Sequence, residues 1–181
     1  MSEYEFTLRF ALPSGQVQTD DLLERLGAAG CDDALIGIGH PGRIALEFTR
    51  AAPSAREAIF GAIADMRRAI SGADLVEVAP DLVGVTDVAD LVGCSRQNIR
   101  NLMTACGSKA PAPLHEGRSA LWHLSPVLCW LAAEKAYDVD GQLLELAEAT
   151  MKVNAAVDAL RSDAETRDEV RKHVSFAQGG K

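Results

Sequence analysis

The chain has 181 residues, 48% of them hydrophobic, and a net charge of −8, which suffices for one large or two small globular domains. No run of about 18 apolar residues and no basic, apolar leader is present, so we expect neither a membrane span nor a signal peptide, and a cytoplasmic location. The four cysteines are widely spaced without a C-x-x-C pattern, which predicts small buried free thiols, the alternative being a redox sensor or a metal site. No cofactor is expected.

The first 80 residues alternate between strand and helix patterns. Tyr4, Phe6, Leu8 and Phe10 alternate with polar residues and predict a half-buried strand. Helices are expected after Thr19 and at residues 54–70, and further strands at 34–38, 43–48 and 75–78. The order β-α-β-β-α-β predicts an α+β, ferredoxin-like domain over residues 1–80, with an antiparallel sheet and both helices on one face. Such a domain can dimerise, bind a small ligand or bind a protein partner.

Catalytic and nucleotide-binding motifs are absent from the sequence. The glycine-rich segment around His40 joins two predicted strands instead of opening a helix, so it predicts a hairpin turn and not a phosphate loop. We therefore expect no catalytic residues and do not expect an enzyme.

Residues 85–103 carry the pattern of a helix-turn-helix. Thr86 is predicted to be the N-cap of a short first helix, Gly93 to end it, and Ser95 to cap a second helix. In the second helix, apolar residues recur on one stripe at Ile99, Leu102, Met103 and Cys106. The remaining surface of that helix and its first turn is polar, and its candidate DNA-contacting residues are Ser95, Arg96, Gln97, Asn98, Arg100, Asn101 and Thr104. Amide and guanidinium groups can read base edges, whereas Ser95 and Asn98 suit phosphates.

Residues 114–123 predict a β-hairpin, called the wing below, with its turn at residues 116–119. A helix beginning at Ser125 and Pro126 follows it. The candidate DNA-contacting residues on and before the wing are Lys109, His115, Arg118 and Ser119. His115 and His123 flank the turn and are expected to face each other across the hairpin.

These features together resemble the winged helix-turn-helix of the MerR and excisionase-type DNA-binding proteins. The resemblance covers residues 82–136 and depends on the T-x-x-A-x-x-x-G-x-S-R-Q motif from Thr86 to Gln97, the hairpin ending in Trp122, and the Ser-Pro helix containing Trp130. It implies that the second helix enters the major groove and that the wing contacts the backbone. In MerR regulators the winged helix begins the chain, whereas here it is internal. The way in which effectors regulate that family is therefore not carried over to this chain. We assign residues 82–137 to this domain.

The distribution of charge supports this assignment. Residues 1–84 contain 7 Lys and Arg against 13 Asp and Glu, residues 137–181 contain 6 against 9, but residues 85–136 contain 5 against 4. Because phosphate attraction acts within a Debye length of about 8–10 Å, the local charge matters more than the total.

A heptad-like helix is expected at residues 140–161. Its apolar positions alternate at three and four residues: Leu143, Leu146, Thr150, Val153, Val157 and Leu160. Such a narrow seam predicts a homodimer, the alternative being that the helix packs on the chain's own N-terminal domain. Residues 162–181 are charged and predict a flexible tail.

The sequence therefore predicts a homodimeric, sequence-specific DNA-binding transcriptional regulator, a repressor reading an inverted repeat in double-stranded DNA. One alternative is an antitoxin- or adaptor-type protein that binds a partner through its acidic N-terminal domain and autoregulates through DNA. Another is a small-ligand sensor.

Overall fold

The computed structural model describes residues 1–13, 19–39, 41–133 and 137–174. His40 and the tail residues 175–181 lie outside the described residues. The elements are β1 Ser2–Ala11, α1 Thr19–Ala28, β2 Ala34–Gly37, β3 Arg43–Ala52, α2 Ala55–Ala69, β4 Asp74–Ala79, β5 Leu82–Val83, α3 Val85–Leu91, α4 Arg96–Cys106, β6 Trp122–His123, α5 Leu124–Ala133, α6 Gly141–Arg161 and α7 Ala164–His173. None of the helices in these ranges is both long and apolar enough to cross a membrane.

The N-terminal unit is built on a four-stranded antiparallel sheet in the order β2-β3-β1-β4. The predicted element order is confirmed. In β1 the alternating apolar residues are buried, and Phe6 and Leu8 pair with Phe48 and Leu46 of β3. Leu22 of α1 and Ile59 of α2 belong to the same core cluster, so both helices cover this one face.

The second unit contains the two helices of the predicted helix-turn-helix, α3 and α4, which pack on each other. The predicted N-cap of its first helix is wrong: Gly84 is the N-cap, because the Asp87 carboxylate accepts the Gly84 N–H at 2.7 Å and the helix begins at Val85. The turn is as predicted, since Gly93 has φ of 67° and Ser95 Oγ accepts the Asn98 N–H at 3.2 Å.

The wing is shorter than the sequence predicts. Its two arms are joined by a single bridge between His115 and Leu121, and the returning arm, β6, pairs with β5 of the interdomain junction. His123 therefore does not face His115. It lies opposite Leu82, and its Nδ1 is 2.7 Å from Asp81 Oδ1.

Helix α6 lies between the two units and contacts both. The predicted dimer seam is corrected here: Leu146, Thr150 and Val153 are buried within the chain, and Leu143 and Val157 are half-buried. Only Leu160, 82% exposed, is left open. The apolar face is covered by the chain's own domains, because it meets α2, β1 and β4 on one side and α5 on the other.

The prediction of a flexible tail from residue 162 is wrong for residues 164–173, which form α7. Asp163 caps this helix by accepting the N–H and the hydroxyl of Thr166, both at 2.8 Å. Arg167 donates hydrogen bonds to the carbonyl oxygens of Ala159 and Ser162, which fixes α7 against the end of α6. The helix buries none of its residues.

Candidate nucleic-acid interface

The second helix of the helix-turn-helix, α4, presents its polar face to solvent. Ile99 is fully buried and Leu102 and Met103 are half-buried against the second core, so the opposite side is exposed. The predicted contact residues on this helix that are exposed are Arg96, Gln97, Asn98, Arg100, Asn101 and Thr104.

A groove of about 650 Å³ lies between the start of α3, the exposed side of α4 and the wing. Five of the predicted contact residues line it: Arg96, Arg100, Thr104, Arg118 and Ser119. The structure thus brings the second helix and the wing together on one surface, although about twenty residues separate Arg96 from Arg118 in the sequence.

The groove is basic. Among the described residues, the guanidinium groups of Arg96, Arg100 and Arg118 form no ion pair, in contrast to Arg9 and Arg50 of the N-terminal unit. The carboxylate at the groove, Asp87, is engaged in capping α3. Three unpaired positive charges at one surface provide the electrostatic attraction that a phosphate backbone requires.

Two predicted base-reading residues are exposed on α4 beside the groove instead of lining it. Gln97 Nε2 donates a hydrogen bond to Asn101 Oδ1 at 2.8 Å, so each amide orients the other. An amide held in this way retains a free donor or acceptor edge for a base.

The remaining predicted residues have structural roles or lie at the margin. Ser95 caps α4, and Lys109 is exposed in a short 3₁₀ turn after that helix. Asn98 is exposed in the first turn of α4 and does not line the groove. His115 stands at the base of the wing, where a Cβ on Gly117 would lie 2.5 Å from its Nε2.

Sequence reasoning missed several residues of the groove: Gly84, Val85, Thr86, Asp87, Met103, Gly117, Ala120, Leu121 and Trp122. Thr86 was assigned to capping, and the acidic residue three positions after Gly84 was the signal that Gly84 caps instead. A side chain at position 117 would require the exposed His115 ring beside it to move. Trp122 Nε1 donates to the Pro111 carbonyl at 3.0 Å, which holds the segment leading into the wing.

Within the described ranges, no group of three or more His, Cys, Asp or Glu side chains is arranged to hold a metal ion. Comparison with known proteins found no matching family model, no matching curated protein and no matching solved structure. Function is therefore inferred from the chain's own residues and geometry.

Proposed function

We propose that this protein binds double-stranded DNA sequence-specifically through α4 and the wing, and that it regulates transcription. The observation that supports this most is the convergence of Arg96, Arg100 and Arg118 on one groove without ion-pair partners among the described residues. Side chains that serve only stability would gain by pairing with the many carboxylates of this acidic chain.

The division of roles follows from the positions of the side chains. A B-DNA major groove about 12 Å wide admits α4, where Arg96 or Arg100 would bind guanine O6 and N7. The linked amides of Gln97 and Asn101 are suited to adenine N6 and N7. Arg118 and Ser119 on the wing would bind phosphates. The winged helix-turn-helix resemblance implies the same arrangement.

The N-terminal unit would then act as the regulatory part. Its strand order and the placement of both helices on one face are those of the ferredoxin-like fold, which we infer for residues 1–80. A homodimer reading an inverted repeat requires a surface other than the buried stripe of α6.

Selection of bound duplexes from random DNA tests this proposal. We expect a defined motif to be enriched, and an inverted repeat in it would show that two copies bind together. The matched control carries Arg96→Ala, Arg100→Ala and Arg118→Ala, and we expect no motif from it. Equal recovery of unrelated sequences by both proteins would contradict sequence-specific binding through this groove.

A second candidate function, ligand sensing, is favoured by a cleft of about 490 Å³ between the units. It is lined by Glu3, Tyr4, Glu5, Pro80, Leu91, Asp140, Gln142, Leu143 and Leu146. Acidic side chains around apolar ones fit a cationic ligand with an apolar body. Thermal-shift measurements test this, with arginine and lysine as cationic ligands and glutamate and a nucleotide for comparison. If none of these compounds raises the unfolding temperature, these ligand classes are eliminated.

A further inference from the structure

The buried carboxylate of Asp81 lies where the N-terminal unit, the second unit and α6 meet. Asp81 is 1% exposed and stands between β4 and β5. Its Oδ1 is 2.7 Å from His123 Nδ1 on the wing strand β6, and its Oδ2 accepts a hydrogen bond from Asn154 Nδ2 of α6 at 2.8 Å. Its backbone carbonyl accepts the N–H of Leu124, the first residue of α5, at 2.7 Å. One residue therefore joins the wing, α5 and α6.

Asn154 continues this network into the N-terminal sheet. Its Nδ2 also donates to the Val78 carbonyl, and its Oδ1 accepts the Val78 N–H, both at 2.8 Å. Thr150, one turn earlier on α6, donates its hydroxyl to the Pro80 carbonyl at 2.6 Å. Because Val78 belongs to the edge strand β4, a continuous chain of hydrogen bonds runs from the sheet through Asn154 and Asp81 to His123.

The backbone pairing of the wing is short. Strand β6 pairs with β5 through two residue pairs only, Trp122 with Val83 and His123 with Leu82. The rest of the described hairpin is joined by the His115–Leu121 bridge. Trp122 is also buried in the second core and donates to the Pro111 carbonyl, so the contact between His123 and Asp81 adds to these anchors and links the wing to α6 through Asn154.

We propose that Asp81 and His123 are positioning residues for the DNA contacts of the wing, connected through Asn154 of α6 to the N-terminal sheet. This rests on the DNA-binding function proposed above. Neither residue touches DNA in this account. They hold Arg118 and Ser119 at the distance from α4 at which helix and wing can bind one duplex together.

The test measures DNA binding by fluorescence anisotropy as a function of salt, using the full chain and the duplex recovered by selection. For His123→Leu we expect a slope of log Kobs against log salt that is shallower by about one unit, because a phosphate contact is lost. Affinities for the selected duplex and for a mutated duplex should fall by the same factor, because base reading by α4 is retained. His123→Gln, which keeps an N–H donor, should restore part of the slope.

The matched control is His173→Leu, at an exposed histidine of α7, and its slope should equal that of the wild type. A merely structural role for His123 would lower the unfolding temperature without changing the salt slope. If His123→Leu does not fold, Asp81→Asn is measured in the same way. A wild-type slope in the folded variant, while the wild-type protein binds DNA, overturns the positioning role alone. Absence of DNA binding by the wild-type protein overturns the proposed function and this role together.

Discussion

The hydroxyl of Tyr4 donates a hydrogen bond to Glu145 Oε2 at 2.9 Å, although 141 positions separate the two residues. The other carboxylate oxygen of Glu145 accepts the N–H of Ala55, also at 2.9 Å. Ala55 is the first residue of α2, so this contact satisfies a backbone donor that the helix itself leaves unpaired. The Glu145 side chain of α6 thus binds both β1 and α2. Helix α6 therefore connects the N-terminal unit to the second unit within one chain.

The intramolecular role of α6 predicts a difference between two leucines of the same helix. Leu146→Ala should lower the free energy of unfolding by about 2–5 kcal/mol, because it leaves a cavity in the N-terminal core. Leu160→Ala, at an 82% exposed position, should change it by less than about 0.5 kcal/mol. Denaturant unfolding measures both. A Leu146→Ala protein of unchanged stability but lower molar mass in light scattering would support a dimer seam instead.

A second prediction concerns Arg50, which links three segments of the N-terminal unit. It binds both oxygens of Asp33, at 2.7 and 2.8 Å, and Asp65 at 2.7 Å, and the first of these contacts raises its pKa. Arg50→Ala should lower the free energy of unfolding by about 2–3 kcal/mol, because Asp33 loses the partner of both its oxygens and the half-buried Asp65 keeps only the exposed Arg68. Arg9→Ala, which breaks an exposed pair with Glu77, should cost at most about 1 kcal/mol. Equal effects of the two substitutions in chemical denaturation would be inconsistent with this account.

The thiol of Cys31 makes stability depend on alkaline pH. It is 2% exposed, and burial, followed by the charge of Asp65, raises its pKa from 9.0 to about 11. Below about pH 8 the thiol is protonated in both folded and unfolded states and has no pH-dependent effect. Between pH 9 and 11 the unfolded state releases this proton first, so the wild type should lose more stability than Cys31→Ala over that range. If the free energies of unfolding of the two proteins changed in parallel with pH over that range, this thiol would have the same pKa in the folded and unfolded states.

The proposed reading of DNA by α4 predicts a loss of specific affinity for Arg100→Ala. We expect a cost of about 1–3 kcal/mol on the selected duplex, because a base contact is removed. Arg56→Ala is the control: that guanidinium stacks on Phe60 of the N-terminal unit, 4.8 Å from the ring centroid, and does not line the groove. Gel-shift titration compares them. Arg100 would have no role in recognition if both variants bound the selected duplex like the wild type.

Local patterns in the sequence were sufficient for most elements of the fold. The alternation in β1 identified its buried face, and Ser95 was correctly identified as the cap of α4, because both features depend on neighbouring residues. The heptad stripe of α6 was also correct as an apolar face, but periodicity does not say what covers such a face. Thr150 would be a weak point in a dimer seam, whereas within the chain its hydroxyl binds the Pro80 carbonyl.

Apart from the N-cap of α3, which is local, the errors concern contacts between residues distant in sequence, or helices that bury nothing. The pairing of His123 depends on β5, forty positions earlier, and so the hairpin pattern alone gave the wrong partner. Helix α7 lacks an apolar seam and was predicted to be flexible, but the cap at Asp163 and the contacts of Arg167 hold it. In the groove, helical spacing in the sequence identified Arg96 and Arg100. The position of Arg118 beside them depends on how the wing folds back towards α4, which only the structure shows.

The most direct test of the proposed DNA-binding groove is an NMR titration of the ¹⁵N-labelled chain with the selected duplex. We expect the largest amide shift changes at residues 96–104 and 117–119, and small changes along α2. Large changes confined to the N-terminal sheet or to α7, with the groove amides unmoved, would contradict the assignment of this surface to DNA.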